Sequence, residues 1–418
     1  MDPTSKPPPS TPVEPPWDPG ELASRRRRRL RQLEVVLAVV VIAVGGLAWV
    51  TDGFTRSAGG LLGPQCPPTV VLNGSGSTFV APLMQTWAAA YAGASASRER
   101  GCVVVQPEFN ATGAATGLNA LATMATQFVA TEEPLSPTAT ASLPAPTVTL
   151  PLTAGAVAIV YNLPGAPAGL NISGSVLAGI YLGTITAWDD PTLVAENPGV
   201  PLPSATPITV IHETAGSSTS YVLTGFLSAA NGTWRTNVGQ GSSIAWPTGI
   251  AASGDASVAA LLAATPGGIA YVGLGTALAE GLPCAKLQGH DGTFVAPSVS
   301  SVLAALTAFG GTLPLGNESW ANVSLLDLPG PDSYPLATFT YAIVYADIGT
   351  AYHGAITLNV AQWLAAFLYW MSVNGQPYGV PVGFAPFSQV FTSANQQIVE
   401  LLRYDGVPAL GDIDYDGD

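Results

Sequence analysis

Basic side chains are scarce in this chain, and they are unevenly placed. Lysine and arginine supply 13 of the 418 residues against 27 acidic ones, which gives a formal net charge of −14. Seven of the 13 lie in the first 31 positions. Proteins that bind nucleic acids neutralise phosphates with clustered lysine and arginine. The remainder of the chain has no such cluster, so we expect no nucleic-acid partner.

Signals for catalysis and for metal binding are also scarce. The three histidines, His212, His290 and His353, lie in no recognisable catalytic motif, and nothing resembles a nucleotide-binding loop. The segment DIDYDGD, residues 412–418, imitates the start of a calcium loop. The glutamate that completes such a loop does not follow it, so we interpret this segment as an acidic tail. We therefore expect no enzyme activity, no cofactor and no metal site.

Cysteine occurs three times, at Cys66, Cys102 and Cys284. Cys66 and Cys102 each precede a strand-like run, TVVLNGSG and VVVQPEF. If these strands are parallel neighbours, the two sulfurs lie side by side at their starting ends. We therefore predict a Cys66–Cys102 disulfide in an oxidising compartment, with Cys284 free. Three unpaired thiols are the alternative, because connectivity cannot be deduced from sequence.

The N-terminal segment has the pattern of a membrane anchor. Residues 1–20 are rich in proline, and RRRRRLRQLE then precedes VVLAVVVIAVGGLAWV, an uncharged run of 16 residues. Basic residues beside an apolar span stay in the cytoplasm. We predict a disordered cytoplasmic tail over residues 1–29, a transmembrane anchor over 30–50 and a linker over 51–66. The protein would then be a single-pass protein of the cell membrane with its body extracellular. A cleaved signal peptide is the alternative, although its apolar region is usually shorter.

The remaining residues predict an α/β fold. The chain is 48% apolar and 10% charged, so it can form the core of two domains. From residue 69, strand-like runs alternate with helical patterns, as in TVVLNGSGSTFVAPLMQTWAAAYAG. This alternation predicts a parallel sheet with crossover helices, in which ligands bind at the carboxyl ends of the strands.

Three polar turns, GSGST, NATGAAT and TAGSSTS, each end a strand and open a helix. Backbone N–H groups and the positive end of a helix point from such turns. We therefore expect the three turns to lie together around an anion.

Several segments resemble the periplasmic phosphate-binding proteins that feed phosphate importers. The resemblance begins with NGSGSTFVAPLMQTWAAAY and continues in order through LAGIYLGTITAWDDPTLVAENPGVPLP and GSSTSYVLTGFLS to residue 405. It implies a two-lobed periplasmic-binding-protein fold, type II-like, that closes on one tetrahedral oxyanion. Lobe one would comprise residues 67–150 plus 335–418, and lobe two residues 151–334.

The resemblance also implies a set of ligand-binding residues. Two of the family's loops and its proton-accepting aspartate correspond here to Thr78, Phe79, Glu132, Gly216, Ser217, Ser218 and Thr219. Ser218 replaces a glycine, and Glu132 replaces the aspartate that accepts the ligand's proton. A serine of the second loop corresponds to Ala114, so that hydroxyl is absent unless Thr112 substitutes for it.

Two charged residues of the family are missing. The family pattern His-Arg-x-Asp-Gly-Ser-Gly-Thr reads HETAGSST here, which puts Glu213 at the arginine and Ala215 at the aspartate that orients it. Truncating one partner of a buried charge pair typically costs about 2–5 kcal/mol. A carboxylate facing an anion would add repulsion. Three possibilities follow: Glu213 turns to solvent, it is protonated, or the ligand is not phosphate.

Two functions follow from these observations. The first is a membrane-tethered extracellular solute-binding protein that captures phosphate or a related oxyanion for the permease of an ABC importer. The second is a scaffold of the same fold that has lost phosphate binding and serves adhesion, surface structure or sensing.

Overall fold

The structure, a computed structural model, describes residues 69–98 and 104–410. The predicted tail, anchor and linker lie outside these residues, as do Cys66, Cys102 and the segment DIDYDGD. Within the described ranges, none of the helices has both the length and the apolar character that crossing a bilayer requires.

Strands and helices alternate along much of the described chain. The strands are β1 (Val70–Gly76), β2 (Val105–Asn110), β3 (Phe128–Thr131), β4 (Thr147–Asn162), β5 (Asn171–Ile172), β6 (Thr209–Glu213), β7 (Ile250–Ala252), β8 (Gly268–Gly273), β9 (Lys286–Gln288), β10 (Phe294–Val295), β11 (Ala337–Tyr345), β12 (Arg403–Tyr404) and β13 (Val407–Pro408). The helices are α1 (Ala81–Arg98), α2 (Ala114–Ala122), α3 (Pro137–Ala141), α4 (Gly174–Tyr181), α5 (Pro191–Glu196), α6 (Ser218–Ala230), α7 (Gly232–Asn237), α8 (Asp255–Ala263), α9 (Leu274–Ala279), α10 (Val299–Ala308), α11 (Ile348–Ala351), α12 (Leu358–Ser372) and α13 (Gln389–Val399), with a 3-10 helix at Gln376–Val382.

The main sheet has eight strands in the order β2-β1-β3-β11-β4-β8-β6-β7. Its outer strands are parallel, as predicted: β1 pairs with β2 and β3, and β6 pairs with β7 and β8. The prediction of a parallel sheet is wrong at the centre, where β11 and β4 run antiparallel to each other and to their outer neighbours. Both central strands are apolar and almost wholly buried. Such a pattern predicts burial on two faces, and it carries no information on strand direction.

Strand β4 runs through both parts of the sheet. Residues 147–156 pair with β11, and residues 157–162 pair with β8. We call β2, β1, β3 and β11 the first half of the sheet, and β8, β6 and β7 the second half. The predicted lobe boundary after residue 150 falls inside β4, where Leu150 and Pro151 both pair with β11. The division into two lobes stays a prediction.

The starting ends of β1 and β2 lie side by side. The strands are parallel neighbours, with Val70 opposite Val105. This adjacency is the premise of the predicted Cys66–Cys102 disulfide, which itself lies outside the described residues. Cys284 is a free, half-buried thiol, and burial raises its pKa to about 11.

Candidate functional site

Four helix starts meet at the carboxyl ends of strands from both halves of the sheet. The N–H of Ala115, in the first turn of α2, donates to the carbonyl of Gly216 before α6 at 3.2 Å. The N–H of Asp255, which opens α8, lies 3.3 Å from Thr78 Oγ1, before α1. The structure thus brings together the three polar turns, and it adds a fourth, ASGDAS, that the sequence analysis did not single out.

One glycine makes this approach possible. Gly216 has a φ of +87°, and a Cβ placed on it would stand 2.6 Å from the Cβ of Ala115. A side chain at position 216 would therefore separate the starts of α2 and α6 and strain the backbone.

The four helix starts enclose a cavity of about 240 Å³. Its lining is rich in hydroxyl groups, which come from Thr78, Thr112, Thr116, Thr214, Ser217 and Ser253. Glu213 is the acidic residue of the lining, and no lysine or arginine of the described chain contributes to it. Because hydroxyls, backbone N–H groups and helix N-termini all suit an anion, the cavity can hold a small oxyanion.

The predicted residues of the first loop divide between the cavity and the core. Thr78 lines the cavity. Phe79 does not, because its ring is buried edge-on against Phe384, with ring centroids 5.4 Å apart. The N–H of Phe79 also has a partner, since it donates to Ser77 Oγ at 3.2 Å.

The predicted residues of the third loop are likewise divided. Gly216 and Ser217 line the cavity, and Ser217 Oγ caps α6 by accepting from the N–H of Ser220. Ser218 is not part of the cavity lining, and its Oγ donates to Glu132 Oε2 at 2.5 Å. Thr219 is buried, with 1% of its surface exposed.

Glu132 lies directly after β3 and is 2% exposed. Its oxygens accept from three hydroxyls: Ser77 and Ser218 donate to Oε2, and Thr340 donates to Oε1 at 2.8 Å. Burial raises the pKa of Glu132 to about 7, although these three hydroxyls act to lower it. Glu132 does not line the 240 Å³ cavity. Its predicted role as acceptor of a ligand proton stays a prediction.

Glu213 ends β6 and does not turn to solvent, since it is only 4% exposed. Its N–H donates to Tyr271 Oη at 2.9 Å. Its Oε1 has no hydrogen-bond partner among the described residues. Burial raises the pKa of Glu213 well above the usual range, and the neighbouring Asp255 carboxyl raises it further. Of the three possibilities left open by the sequence, exposure is therefore excluded, and a protonated carboxyl is favoured.

Asp255 is a site residue that the sequence analysis missed. It is 2% exposed, and its Oδ1 accepts from Thr78 Oγ1 at 3.2 Å. Its Oδ2 accepts from the N–H of Gly273 at 2.6 Å and from Thr276 Oγ1 at 3.3 Å. The sequence could have identified Asp255 by its position after a strand and in the first turn of a helix, because a carboxylate is favourable there. Asp255 thus joins the second half of the sheet to the first loop.

Comparisons with known proteins identify the family of this chain. A family model described as a PBP superfamily domain matches residues 63–374. The phosphate-binding protein PstS 2 of Mycobacterium tuberculosis is 32% identical over 321 residues, which cover 73% of this chain and 81% of the relative. The chain belongs to the PstS family of phosphate-binding proteins.

A second relative and a solved structure extend the comparison. The phosphate-binding protein PstS of Methanocaldococcus jannaschii is 29% identical over 360 residues, covering 82% of this chain and 87% of the relative. The structure of PfluDING, a high-affinity periplasmic phosphate-binding protein bound with phosphate at pH 8.5, has a TM-score of 0.57. It is 20% identical and covers 77% of this chain and 92% of its own. This likeness supports the fold.

Within this family the departures noted in the sequence can now be located. Thr112 lines the cavity, and its Oγ1 lies 2.9 Å from Ser75 Oγ, so a hydroxyl is present near Ala114. Ala215 also lines the cavity, where it offers no charge. His212 stacks on Trp246 with ring centroids 4.8 Å apart, and burial lowers its pKa. The ring of His212 thus has a packing partner in the fold.

No group of three or more His, Cys, Asp or Glu side chains in residues 69–98 and 104–410 is placed to hold a metal ion. Glu132, Glu213 and Asp255 therefore do not form a set of metal ligands. They are three buried carboxyl groups, of which Glu132 and Asp255 accept hydrogen bonds from hydroxyls or a backbone N–H.

Proposed function

We propose that this protein is the solute receptor of an ABC importer and captures phosphate or a closely related oxyanion outside the cell. The observation that carries the proposal is the cavity of about 240 Å³, which lies between four helix starts and has a lining rich in hydroxyls. Membership of the PstS family supports the same ligand. A helix N-terminus favours an anion through its unpaired N–H groups and its dipole.

The proposed donors are Thr78 and the loop from Gly216 to Thr219, with Thr112 in place of the hydroxyl lost at Ala114. Thr78, Thr112, Gly216 and Ser217 line the cavity and support this set, whereas Ser218 and Thr219 are supported only by their place in the first turn of α6. The structure gives weaker support for Phe79 and Glu132 as ligand-binding residues, because their polar groups already have partners. The Phe79 N–H already donates to Ser77, and Glu132 already accepts three hydroxyl hydrogens. Oε1 of Glu132 accepts from Thr340 alone and keeps a second lone pair, but Glu132 does not line the cavity.

Calorimetry on the purified full chain, with phosphate at pH 5 and pH 7.5, tests the proposal. We expect one phosphate to bind per chain, more weakly than to an arginine-bearing relative. Thr112→Val should reduce the affinity several-fold, because it removes a cavity hydroxyl and keeps the shape of the side chain. Glu280→Gln, on an exposed side chain outside the cavity lining, should change nothing. An absence of binding at both pH values contradicts the proposal.

One observation favours the alternative, a scaffold that has lost its ligand. Three buried carboxyl groups stand near the cavity, and no lysine or arginine of the described chain lines it. The variant Glu213→Arg with Ala215→Asp separates the two functions, since it restores the ion pair of the family. If the wild type binds no phosphate at either pH and the double variant does, the scaffold is the correct function.

We further propose that residues 30–50 anchor the protein in the membrane with its body outside. The support is the basic segment followed by the apolar run, together with the periplasmic setting of the protein named PfluDING. Protease added to intact cells should remove the body and spare the cytoplasmic tail. A mature N-terminus beyond residue 50 would instead indicate a cleaved signal peptide.

We also propose the Cys66–Cys102 disulfide. Adjacent starts of β1 and β2 and the free thiol of Cys284 support it. Peptide mapping under non-reducing conditions should recover Cys66 linked to Cys102. A link that involves Cys284 would contradict the pairing.

A further inference from the structure

A second cavity, of about 210 Å³, lies beside the start of α2, and we call it the α2 pocket. Among the described residues it shares no lining residue with the 240 Å³ cavity: Thr116 of α2 lines that cavity, whereas Leu118 of α2 lines the pocket. Both halves of the sheet contribute to the pocket, because Glu133 follows β3 and Ser242 lies in the loop between α7 and β7. The proposed phosphate site leaves this pocket unused.

One wall of the α2 pocket is apolar. Its side chains come from α2, β3, α3 and the loop before α3, and they are Ala114, Leu118, Val129, Leu135 and Ala139. Removing a hydrocarbon group from water against such a wall is favourable. Small-molecule sites typically combine an apolar wall of this kind with a few polar groups that orient the ligand.

The polar residues of the α2 pocket are held in place by hydrogen bonds to the backbone. Thr131 Oγ1 accepts from the N–H of Glu133 at 3.0 Å. The carbonyl oxygen of Ser242 accepts from the N–H groups of Gly216 and Ser217, at 2.9 and 3.1 Å. The backbone on both sides of the pocket is therefore fixed before any ligand enters.

The carboxyl group of Glu133 has no positive partner in this pocket. Glu133 is half-buried, and no lysine, arginine or histidine of the described residues lines the pocket. Burial raises the pKa of Glu133, and the hydroxyl of Ser242 acts to lower it. A carboxylate in such surroundings gains most from a cation that donates charge-assisted hydrogen bonds.

We propose that the α2 pocket binds a small primary organic ammonium, with its N–H groups on the Glu133 carboxylate and its hydrocarbon group against the apolar wall. An ammonium group has three hydrogens to donate, and Ser242 Oγ, which contacts the carboxyl, can accept one that Glu133 does not. This inference goes beyond the proposed function and does not depend on it, because the two cavities have separate linings.

The volume of about 210 Å³ restricts the ligand to a small molecule. Cavities that hold drug-sized ligands are larger, at roughly 300–1,000 Å³. Each methylene that moves from water to the apolar wall should strengthen binding by roughly fourfold. We therefore expect affinity to rise along the series from methylammonium to n-butylammonium.

Calorimetry of the full chain with n-butylammonium chloride at pH 7.5, without phosphate and at constant ionic strength, tests the proposal. We expect one ligand per chain, with a Kd in the micromolar to millimolar range that suits so small a molecule. n-Butanol keeps the hydrocarbon group without the charge, and it should bind more weakly by roughly tenfold or more. Butyrate, which carries the opposite charge, should give no heat of binding. Equal affinity for n-butylammonium and n-butanol, or no heat with n-butylammonium, would overturn the proposal.

Two variants assign the binding to the α2 pocket. Glu133→Gln removes the charge at nearly constant shape and should weaken n-butylammonium binding by roughly tenfold or more. Glu280→Gln, on an exposed side chain outside the pocket, is the matched control and should bind like the wild type. Ala139→Leu fills the pocket from α3 with a residue that suits a helix, and it should abolish binding.

A thermal melt monitored by circular dichroism establishes that each variant is folded. If folded Glu133→Gln and Ala139→Leu both bind n-butylammonium like the wild type, the ligand lies elsewhere and the inference is wrong. Because these titrations contain no phosphate, their failure leaves the proposed function standing. A protein that binds n-butylammonium and no phosphate would contradict the proposed function alone.

Discussion

Glu132 and Glu213 occupy corresponding places in the two halves of the sheet, yet their surroundings differ. Both stand at the carboxyl end of a strand, and their exposures are 2% and 4%. Glu132 accepts from three hydroxyls, whereas Glu213 keeps an oxygen without a partner. Burial raises the pKa of both; three hydroxyls act against the rise at Glu132, and one, that of Ser217, acts against it at Glu213. The comparison shows that two equally buried carboxyl groups can differ in how fully their oxygens are hydrogen-bonded.

The largest effect on this comparison should come from Glu132→Ala. The change leaves the hydroxyls of Ser77, Ser218 and Thr340 without their acceptor and opens a cavity in the core. We expect the free energy of unfolding at pH 5 to fall by on the order of 3 kcal/mol. Urea denaturation measures it. Glu280→Ala, on an exposed side chain, should change it by less than about 0.5 kcal/mol. Equal losses in both variants would show that Glu132 is not a structural centre.

The second effect is a loss of stability as pH rises. The pKa of Glu132 is raised from 4.5 to about 7 in the folded protein, so the folded state binds more protons than the unfolded state between these values. Its contribution to the free energy of unfolding is complete below pH 4.5 and declines as pH rises to about 7, by on the order of 3 kcal/mol.

Urea denaturation at pH 5 and pH 8 checks this decline. Glu213 acts with the same sign, so Glu132→Gln should remove part of the decline and Glu213→Gln another part. A wild type that gains stability between pH 5 and pH 8, with neither variant altering the trend, would contradict the raised pKa values on which the comparison rests.

A smaller effect is expected for Thr340→Val, which removes one of the three donors to Glu132 and keeps the shape of the side chain. The free energy of unfolding at pH 8 should fall by about 1–2 kcal/mol, and the pKa of Glu132 should rise. Thr338→Val on the same strand is the matched control, because Thr338 donates only to the carbonyl of its neighbour Phe339. If Thr338→Val lowers the free energy of unfolding more than Thr340→Val does, the number of donating hydroxyls does not explain why Glu132 and Glu213 differ.

The smallest effect concerns the Glu213 side. Ser217→Ala removes the cap of α6 and the one hydroxyl that lowers the pKa of Glu213. We expect a loss of about 1 kcal/mol in unfolding free energy, with a change in phosphate affinity as well. Thr357→Ala, which removes the cap of α12, should cost a similar amount of stability and leave phosphate affinity unchanged. If both variants leave affinity untouched, Ser217 is a helix cap alone.

Much of the fold was predictable from the residues. The alternation of strand and helix patterns from residue 69 predicts the parallel outer strands, and the glycine and hydroxyl turns predict three of the four helix starts at the cavity. The direction of β4 and β11 was not predictable. Those strands pair across nearly two hundred positions, and a continuous apolar run specifies burial without orientation.

The candidate site also has features that the sequence predicts and features that it does not. The sequence by itself determined the family, the missing arginine and the hydroxyl-rich loops, because these depend on which residues follow one another. Only the tertiary structure decided that Phe79 and Ser218 serve the core, that Glu213 is buried, and that Asp255 stands beside it. The physical reason is that the pKa of a carboxyl and the partners of its oxygens depend on groups from distant elements, which sequence order does not bring together.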